Sequence, residues 1–315
     1  MPPDFLHNHS EFGDLIRIVA DSEGIAPALV EKDYWIMQSL YGLQRLDLTF
    51  ELKGGTSLSK GYGLISRFSE DIDIRIEPPA DLPVMVGRNH DKPPHVQSRR
   101  AFYDRLAQTI VIDGITSVER DPAFDDLPQY RSAGIRLTYA SISGSIDGLK
   151  DGVLLEVGFD DVTPNAPRDI SSWAYDYAAG RVEIRDNRAL AVACYHPGHT
   201  LVEKLQAIST KFRQQQRAGL LPPNFMRHFY DIYCLLQDRT VQDFVGTQAY
   251  RDHKAKRFPK ADNPVIAENE AFVLSDPGAL QKLQKAYAAS STLYFRDQPD
   301  FRDILAKIAE WAPRL

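Results

Sequence analysis

Cysteine is scarce in this sequence of 315 residues, where Cys194 and Cys234 are the only two. The two could pair in principle, but a lone pair of thiols in a chain without an export signal is more often reduced and buried. Zinc is also disfavoured, because His196 and His199 stand close together with no other suitable ligands near them. We therefore expect two free thiols and no zinc site.

Long apolar runs and an excess of positive charge are missing too. No stretch approaches the roughly 20 apolar residues that span a bilayer, and the opening MPPDFLHNHSEF lacks the basic and apolar regions of a secretory signal. The net charge of −6, from 43 acidic and 37 basic residues, disfavours a broad, non-specific grip on nucleic acid. We expect a cytoplasmic protein with at most local basic patches.

Two segments are candidates for such patches, and each is equally consistent with a solvated helix face. The basic residues of the first are Lys204, Lys211, Arg213 and Arg217, and those of the second are Arg251, Lys254, Lys256, Arg257 and Lys260.

The chain has the composition of a globular protein and a length that suggests about two domains. Hydrophobic residues make up 43% of it and charged residues 25%, which excludes wholesale disorder. Apolar residues recur at helical spacing from about 10 to 43, interrupted by Gly24 and Pro27. We predict further helices near 98–113, 201–212, 225–236, 279–288 and 301–311.

Strand patterns are concentrated between these helical regions. We predict strands at 48–53, 71–76, 115–119, 134–139 and 153–159, with the last two as a possible hairpin and no strands beyond about Leu190. The sequence thus predicts an α+β protein. Its parts are an N-terminal helical segment (1–46), an α/β core (47–188) and a helical C-terminal domain (189–315).

The strongest chemical signal is Asp71-Ile-Asp73 on a predicted strand. Residues two apart on a strand share a face, so their carboxylates repel unless they are protonated or bridged by a cation. Mg²⁺ suits this arrangement, because it prefers oxygen ligands and commonly binds one or two carboxylates together with substrate phosphates. Alone, the motif is as easily a polar strand face.

A glycine step ahead of the carboxylates makes the pattern more specific. Gly54 and Gly55 end the preceding strand, and Thr56 can cap a short helix that reaches about Gly61. Free N–H groups at such a junction suit phosphate, and glycine lets the backbone approach it closely. Other residues of this stretch able to contact phosphate are Thr56 or Ser57, Lys60, Arg67 and Ser69.

The stretch GGTSLSKGYGLISRFSEDIDI resembles the AbiEii/AbiGii toxin family, which belongs to the polymerase-β-like nucleotidyltransferase superfamily. Similar features are EKDYW at 31–35, Glu203-Lys204-Leu205, and the segment from Arg227 to Tyr233. The resemblance runs from about residue 30 to 240 and implies a polymerase-β-like nucleotidyltransferase core. One position departs from it, because His228 stands where the family often has an acid.

A third carboxylate is expected from a neighbouring strand, and Glu156 is the best candidate. It interrupts an otherwise apolar strand, where a lone buried carboxylate is costly unless it is paired or bound to metal. Pairing with a neighbour such as Arg136 is the plain alternative, and Asp160 is the substitute for the metal role.

The resemblance implies that Asp71, Asp73 and Glu156 bind two Mg²⁺ ions, with Mn²⁺ as a possible substitute. It further implies that Lys204 binds the triphosphate of an NTP and that Asp231 orients Lys204 or the nucleotide. From the residues alone, Lys204 and Asp231 would be solvated ion-pair residues. Tyr34 and Trp35 of the EKDYW segment are more typical of core packing than of base stacking.

The implied activity is transfer of a nucleotidyl group from an NTP to an acceptor hydroxyl. In a toxin of an abortive-infection or toxin–antitoxin system, the implied acceptor is the 3′ end of tRNA, and a cognate antitoxin would restrain the enzyme. The first alternative is the same chemistry on a small-molecule or protein hydroxyl. The second is a non-catalytic partner-binding protein, which the intact Asp-x-Asp disfavours.

Overall fold

The structure is a computed structural model that describes residues 3–46, 48–87, 89–144, 149–221, 224–290, 294–296 and 298–315. Contacts divide the chain into two compact units. The first contains Met1–Gly61 and Ser69–Tyr195, and the second contains Tyr62–Phe68 and His196–Leu315.

A mixed sheet forms the centre of the first unit. Within the described residues its strands are β1 (Phe50–Lys53), β2 (Asp71–Ile76), β3 (Ile115–Asp121), β4 (Ser132–Tyr139), β5 (Val153–Gly158), β6 (Asn165–Ile170) and β7 (Ala189–Tyr195). Their order across the sheet is β3-β4-β5-β2-β1-β7-β6. Strand β2 runs parallel to β5, and β1 parallel to β7, whereas the other neighbours are antiparallel.

Strand β2 shows why its sequence alternates. Ile72 and Ile74 are fully buried and Ile76 is 1% exposed, so the apolar side chains face the core. Asp71 and Asp73 lie on the opposite face and remain half-buried. The strand therefore presents its carboxylates on the side of the sheet away from the isoleucines.

The helices of the first unit are α1 (Phe12–Glu23), α2 (Pro27–Arg45), α3 (Gly54–Thr56), α4 (Pro93–Thr109) and α5 (Trp173–Ala178). Helix α1 ends at Gly24, whose φ of 68° is the left-handed conformation that glycine adopts readily. Pro27 occupies the first turn of α2, where its missing N–H costs nothing. Helix α2 is buried along most of its length.

The second unit is helical. Its helices, as far as the structure describes them, are α6 (Pro197–Ala218), α7 (Phe225–Leu235), α8 (Arg239–Phe244), α9 (Gln248–Arg257), α10 (Glu270–Val273), α11 (Pro277–Ala288) and α12 (Phe301–Trp311). Leu205 and Ile208 of α6 are fully buried, as are Phe229 and Ile232 of α7. Among the described helices of both units, none combines the length and apolarity that crossing a membrane requires.

Most elements agree with the sequence predictions. The α+β class, the strand at 71–76 and the hairpin of β4 and β5 are confirmed. The helices predicted near 225–236, 279–288 and 301–311 are also present, the second of them beginning at Pro277. Cys194 and Cys234 are free, as expected.

Two local predictions are wrong. No strands were predicted beyond about Leu190, but β7 continues to Tyr195. Strand β6 was also not predicted, because it lies at the sheet edge and its sequence NAPRDI lacks regular alternation. Thr56 does not cap a helix, since it lies inside α3, and its hydroxyl donates a hydrogen bond to the carbonyl of Asp71 instead. A π-helical turn from Ser57 to Gly61 continues α3.

Candidate functional site

Gly54 and Asp73 are in close contact where β1 ends. Lys53 is the register partner of Asp73, so the next residue, Gly54, turns directly beside that carboxylate. The φ of Gly54 is +69°, and a Cβ there would lie 2.0 Å from Oδ2 of Asp73. Only glycine meets both the conformational and the spatial demand. The structure thus places the glycine turn against the carboxylate pair.

Asp73 and Glu156 are register partners on the parallel strands β2 and β5. Their side chains share one face of the sheet with Asp71, which is two residues earlier on β2. Burial, and then the negative charges of Asp73 and Asp71, raise the pKa of Glu156 to about 8. The three carboxylates therefore form a cluster with unfavourable negative charge.

Arg136, the alternative pairing partner of Glu156, is engaged by other residues, and Asp160, the substitute carboxylate, lies outside β5. Arg136 forms a salt bridge with Asp121 and donates to the carbonyl of Asp151 at 2.7 Å. Asp160 is exposed and follows the end of β5. Glu156 is thus the residue of β5 that faces the carboxylates of β2.

Asp71 already has a cation beside it. The Nζ of Lys150 lies 2.6 Å from Oδ2 of Asp71, whereas Oδ1 is buried and has no hydrogen-bond partner among the residues that the structure describes. Burial raises the pKa of Asp71, and Lys150 opposes that shift. Asp71 therefore has one satisfied and one unsatisfied oxygen.

The cluster has the chemistry of a divalent-cation site. In the described parts of the chain, no three acidic, imidazole or thiol side chains converge closely enough to bind a metal ion in this conformation. The unsatisfied oxygen of Asp71, the raised pKa of Glu156 and the all-carboxylate donor set nevertheless fit a hard cation such as Mg²⁺.

The predicted phosphate-contacting residues of the glycine turn differ in exposure. Gly55, Thr56 and Ser57 are buried, and Gly54 keeps exposed surface. Lys60, which follows them, has its Nζ 2.8 Å from Oδ1 of Asp33. Ser69, further along the chain, is half-buried.

Sequence reasoning did not identify the roles of three consecutive charged residues of α2. Glu31 accepts hydrogen bonds from the backbone N–H groups of Ile142 and Ser143 at 3.0 and 2.9 Å. Lys32 donates to the carbonyl of Lys150 at 2.5 Å. The signal that could have revealed them is a run of three charges in a helix that is otherwise largely apolar.

Asp33 completes the run by binding two other segments. Besides pairing with Lys60, it accepts a hydrogen bond from the N–H of Trp173 at 2.9 Å. The Lys60 ammonium also lies 5.2 Å from the centre of the Trp173 ring. Tyr34 and Trp35, the next two residues, are 0% and 4% exposed, which confirms their interpretation as packing residues.

A second charged cluster lies within the helical unit and is centred on Asp231. The guanidinium of Arg67 donates to both of its oxygens, at 2.6 and 2.7 Å, and the Nζ of Lys204 lies 2.7 Å from Oδ2. Burial alone would raise the pKa of Asp231, but Arg67 and Lys204 hold it well below its usual range. Asp231 is thus an ionised anchor for two cations, and Arg67 is engaged by it rather than presented to solvent.

His228 shows what replaces the acid at the position where the sequence departs from the resemblance. Its Nε2 lies 2.9 Å from Nζ of Lys211. Burial, and then the charges of Lys204 and Lys211, hold the pKa of His228 well below its usual range. The imidazole is therefore neutral and accepts a hydrogen bond from Lys211 through Nε2.

Comparison with known proteins adds an independent finding. Residues 35–307 match the family model described as "Nucleotidyl transferase AbiEii toxin, Type IV TA system". Among solved structures, the chain is similar to an antigenic nucleotidyltransferase-like protein from Paracoccidioides brasiliensis. Identity is 12% and the TM-score 0.33, over 75% of this chain and 96% of that one. No curated protein matches the chain.

Proposed function

The chain belongs to the AbiEii family of nucleotidyl transferase toxins of type IV toxin–antitoxin systems, and on that premise we propose that Asp71, Asp73 and Glu156 are its catalytic carboxylates. The reaction moves a nucleotidyl group from an NTP to an acceptor hydroxyl and releases pyrophosphate. The observation that carries this proposal is the register of Asp73 with Glu156 beside the Gly54 turn.

The three carboxylates would hold Mg²⁺, with Mn²⁺ as a substitute. When bound, such cations lower the pKa of an attacking hydroxyl and neutralise charge that develops on the leaving pyrophosphate. The protein's contribution is to fix the donors. Gly54 leaves room for Asp73, and the sheet register holds Glu156 opposite it. Catalysis of this kind depends mainly on positioning and electrostatics.

The remaining site residues are proposed to bind the nucleotide. In the first unit these are Gly54, Gly55, Thr56, Ser57, Lys60 and Ser69. In the second unit, Lys204 is proposed to bind triphosphate oxygens while Asp231 orients its ammonium, a role supported by their 2.7 Å contact. Arg67 has both contacting nitrogens on Asp231 and is proposed to fix that carboxylate, so that any effect on the nucleotide is indirect.

The proposed acceptor is the 3′ end of tRNA, and the antitoxin of the system would restrain the activity. A local basic surface suits such an acceptor, but the candidate patches are partly neutralised. Arg213 pairs with Asp262 at 2.5 Å and Arg257 with Glu203 at 3.6 Å. The acceptor proposal therefore rests on the family, and small-molecule and protein hydroxyls are the competing acceptors.

A labelling assay tests the activity and identifies the acceptor class. Purified protein is incubated with Mg²⁺ and each of the four NTPs carrying label at the α-phosphate, together with purified tRNA, total RNA or cell lysate. Label in tRNA that is lost on removal of the 3′-terminal nucleotide supports the proposal. Label found only in protein or in a small molecule excludes the tRNA acceptor but keeps the chemistry.

The control variants separate an enzyme from a binding protein. Asp73→Asn is expected to abolish labelling and cellular toxicity, whereas Asp160→Asn is expected to retain both. Toxicity that survives Asp73→Asn, with no label transferred by the wild-type protein, would establish the non-catalytic alternative.

A further inference from the structure

Lys150 brings a positive charge into the carboxylate cluster. Its ammonium lies 2.6 Å from Asp71, and it also lies 4.7 Å from the centre of the Phe124 ring. Within the described ranges, no hydrogen-bond or ion-pair partner is found for Asp73 or Glu156. The ammonium of Lys150 therefore contacts Asp71 directly but not the other two carboxylates of the cluster.

The position of Lys150 is fixed by its backbone. Its N–H donates to Oε2 of Glu70 at 2.9 Å, and its carbonyl accepts from Nζ of Lys32 at 2.5 Å. Glu70 and Lys32 are 2% and 0% exposed, and their charged groups lie 3.8 Å apart. Because Glu70 directly precedes Asp71, the same few residues hold both partners of the Lys150–Asp71 pair. The contact is therefore built into the fold.

We propose that Lys150 is an internal counterion of the site, which a divalent cation must displace from Asp71 and whose released ammonium then binds the phosphates of the nucleotide. This inference rests on the proposed function. A divalent cation bound to Oδ1 of Asp71 would lie close to the ammonium held on Oδ2 of the same carboxylate, and the two positive charges would repel each other. The two positive charges therefore compete for one carboxylate.

Displacement leaves Lys150 close to the site. Its backbone stays held by Glu70 and Lys32, so only the flexible side chain moves. An ammonium group has donors and no acceptor, and an anionic phosphate is the partner that an incoming nucleotide offers. Lys150 thereby exchanges a carboxylate for a phosphate. Binding of the cation and binding of the nucleotide become coupled through this one side chain.

A purely structural role for Lys150 predicts the opposite result. If the pair only holds Asp71 in place, removing the ammonium would loosen that carboxylate and weaken cation binding. If Lys150 competes with the cation, removing it strengthens cation binding. The sign of the change in Mn²⁺ affinity therefore separates the two roles, without any reference to turnover.

The experiment compares Lys150→Met, which keeps an apolar stem without the charge, with Lys150→Arg, which keeps the charge. Calorimetric titration of the nucleotide-free protein with Mn²⁺ is expected to show about 10-fold tighter binding for Lys150→Met and no gain for Lys150→Arg. Titration with the Mn²⁺ complex of inorganic triphosphate is expected to show about 10-fold weaker binding for Lys150→Met. Lys307→Met, which removes a lysine–carboxylate pair on α12, should match the wild type in both titrations.

Three outcomes would overturn the inference. They are unchanged or weaker Mn²⁺ binding by Lys150→Met, unchanged triphosphate binding by that variant, and no Mn²⁺ binding by the wild-type protein. The last would also remove the proposed metal site, whereas the first two leave it intact if Asp73→Asn abolishes Mn²⁺ binding. If Lys150→Met does not fold, a crystal structure of the wild type with Mn²⁺ decides, and Lys150 still within 3 Å of Asp71 would refute displacement.

Discussion

Asp73 and Glu156 are partners across two neighbouring parallel strands, and the negative charge of Asp73 disfavours ionisation of Glu156. Such a pair is costly in an empty site and useful in one that binds cations. Glu156→Gln is therefore expected to lower the rate of nucleotidyl transfer by at least about 100-fold, the scale on which lost electrostatic stabilisation acts. Asp160→Asn, the matched change just beyond β5, should leave the rate near wild type. The reverse order would assign the third carboxylate to Asp160.

The same substitution is expected to stabilise the metal-free protein. At neutral pH the unfolded chain ionises Glu156 freely, whereas in the folded protein burial and the charges of Asp71 and Asp73 disfavour that ionisation, and a neutral amide avoids this cost. Thermal unfolding of Glu156→Gln in the presence of a chelator should occur at a higher temperature than that of the wild type. A lower unfolding temperature would show that the folded protein does not disfavour a charge on Glu156.

Gly54→Ala tests the contact between the turn and Asp73. The added Cβ would overlap Oδ2 of Asp73, and the φ of +69° adds backbone strain of about 1–3 kcal/mol. Activity should fall steeply, because the clash moves a catalytic carboxylate. Gly63→Ala is the matched control, since Gly63 has a φ of +64° and a methyl group added there would meet nothing within 4 Å. Equal activity losses in the two variants would assign the effect to strain alone.

Asp231→Asn is expected to destabilise the protein by about 3–5 kcal/mol, because it leaves buried Arg67 without its countercharge. Asp243→Asn removes the exposed pair with Arg239 on α8 and should change the free energy of unfolding little. Urea denaturation of both variants and the wild type measures the difference. A small effect of Asp231→Asn would mean that water or another group solvates Arg67.

The pH dependence of stability should include a contribution from His253. Burial, followed by the charges of His199, Arg257 and Lys256, lowers its pKa to about 4. The unfolded chain, with a histidine pKa near 6.5, binds the proton more readily than the folded protein. The contribution of His253 to the free energy of unfolding is therefore fully present above about pH 6.5 and is lost as the pH falls towards 4. Between pH 7.5 and pH 4, the free energy of unfolding of His253→Gln should fall by about 1–2 kcal/mol less than that of the wild type, after allowance for solvent screening. Parallel pH curves for variant and wild type would contradict this.

The sequence predicted those features that depend on local pattern. Strand β2 could be read from its alternation, and the turn at Gly54 from its glycines, because backbone conformation and side-chain direction follow from neighbouring residues. The close approach of Asp73 to Gly54 was not predicted, because it follows from the pairing register of β1 with β2. Local pattern failed for β6, whose edge position tolerates proline and exposed polar residues.

The contacts that complete the cluster could not be predicted. Lys150 lies in a connection rich in glycine, serine and aspartate, and it meets Asp71 and Lys32 only after the sheet has formed. Glu31 likewise binds Ile142 and Ser143, which are far away along the chain. Periodicity carries no information about partners at that separation. Such pairs follow from sheet order and register.

Glu31, Lys32 and Asp33 bind different segments from one turn of α2, and this has a genetic consequence. An in-frame insertion or deletion earlier in that helix would rotate the anchors by about 100° per residue and detach all of them together. A missense change removes one anchor at a time. Cells selected to survive the toxin without its antitoxin should therefore yield short in-frame indels in α2, upstream of every catalytic carboxylate.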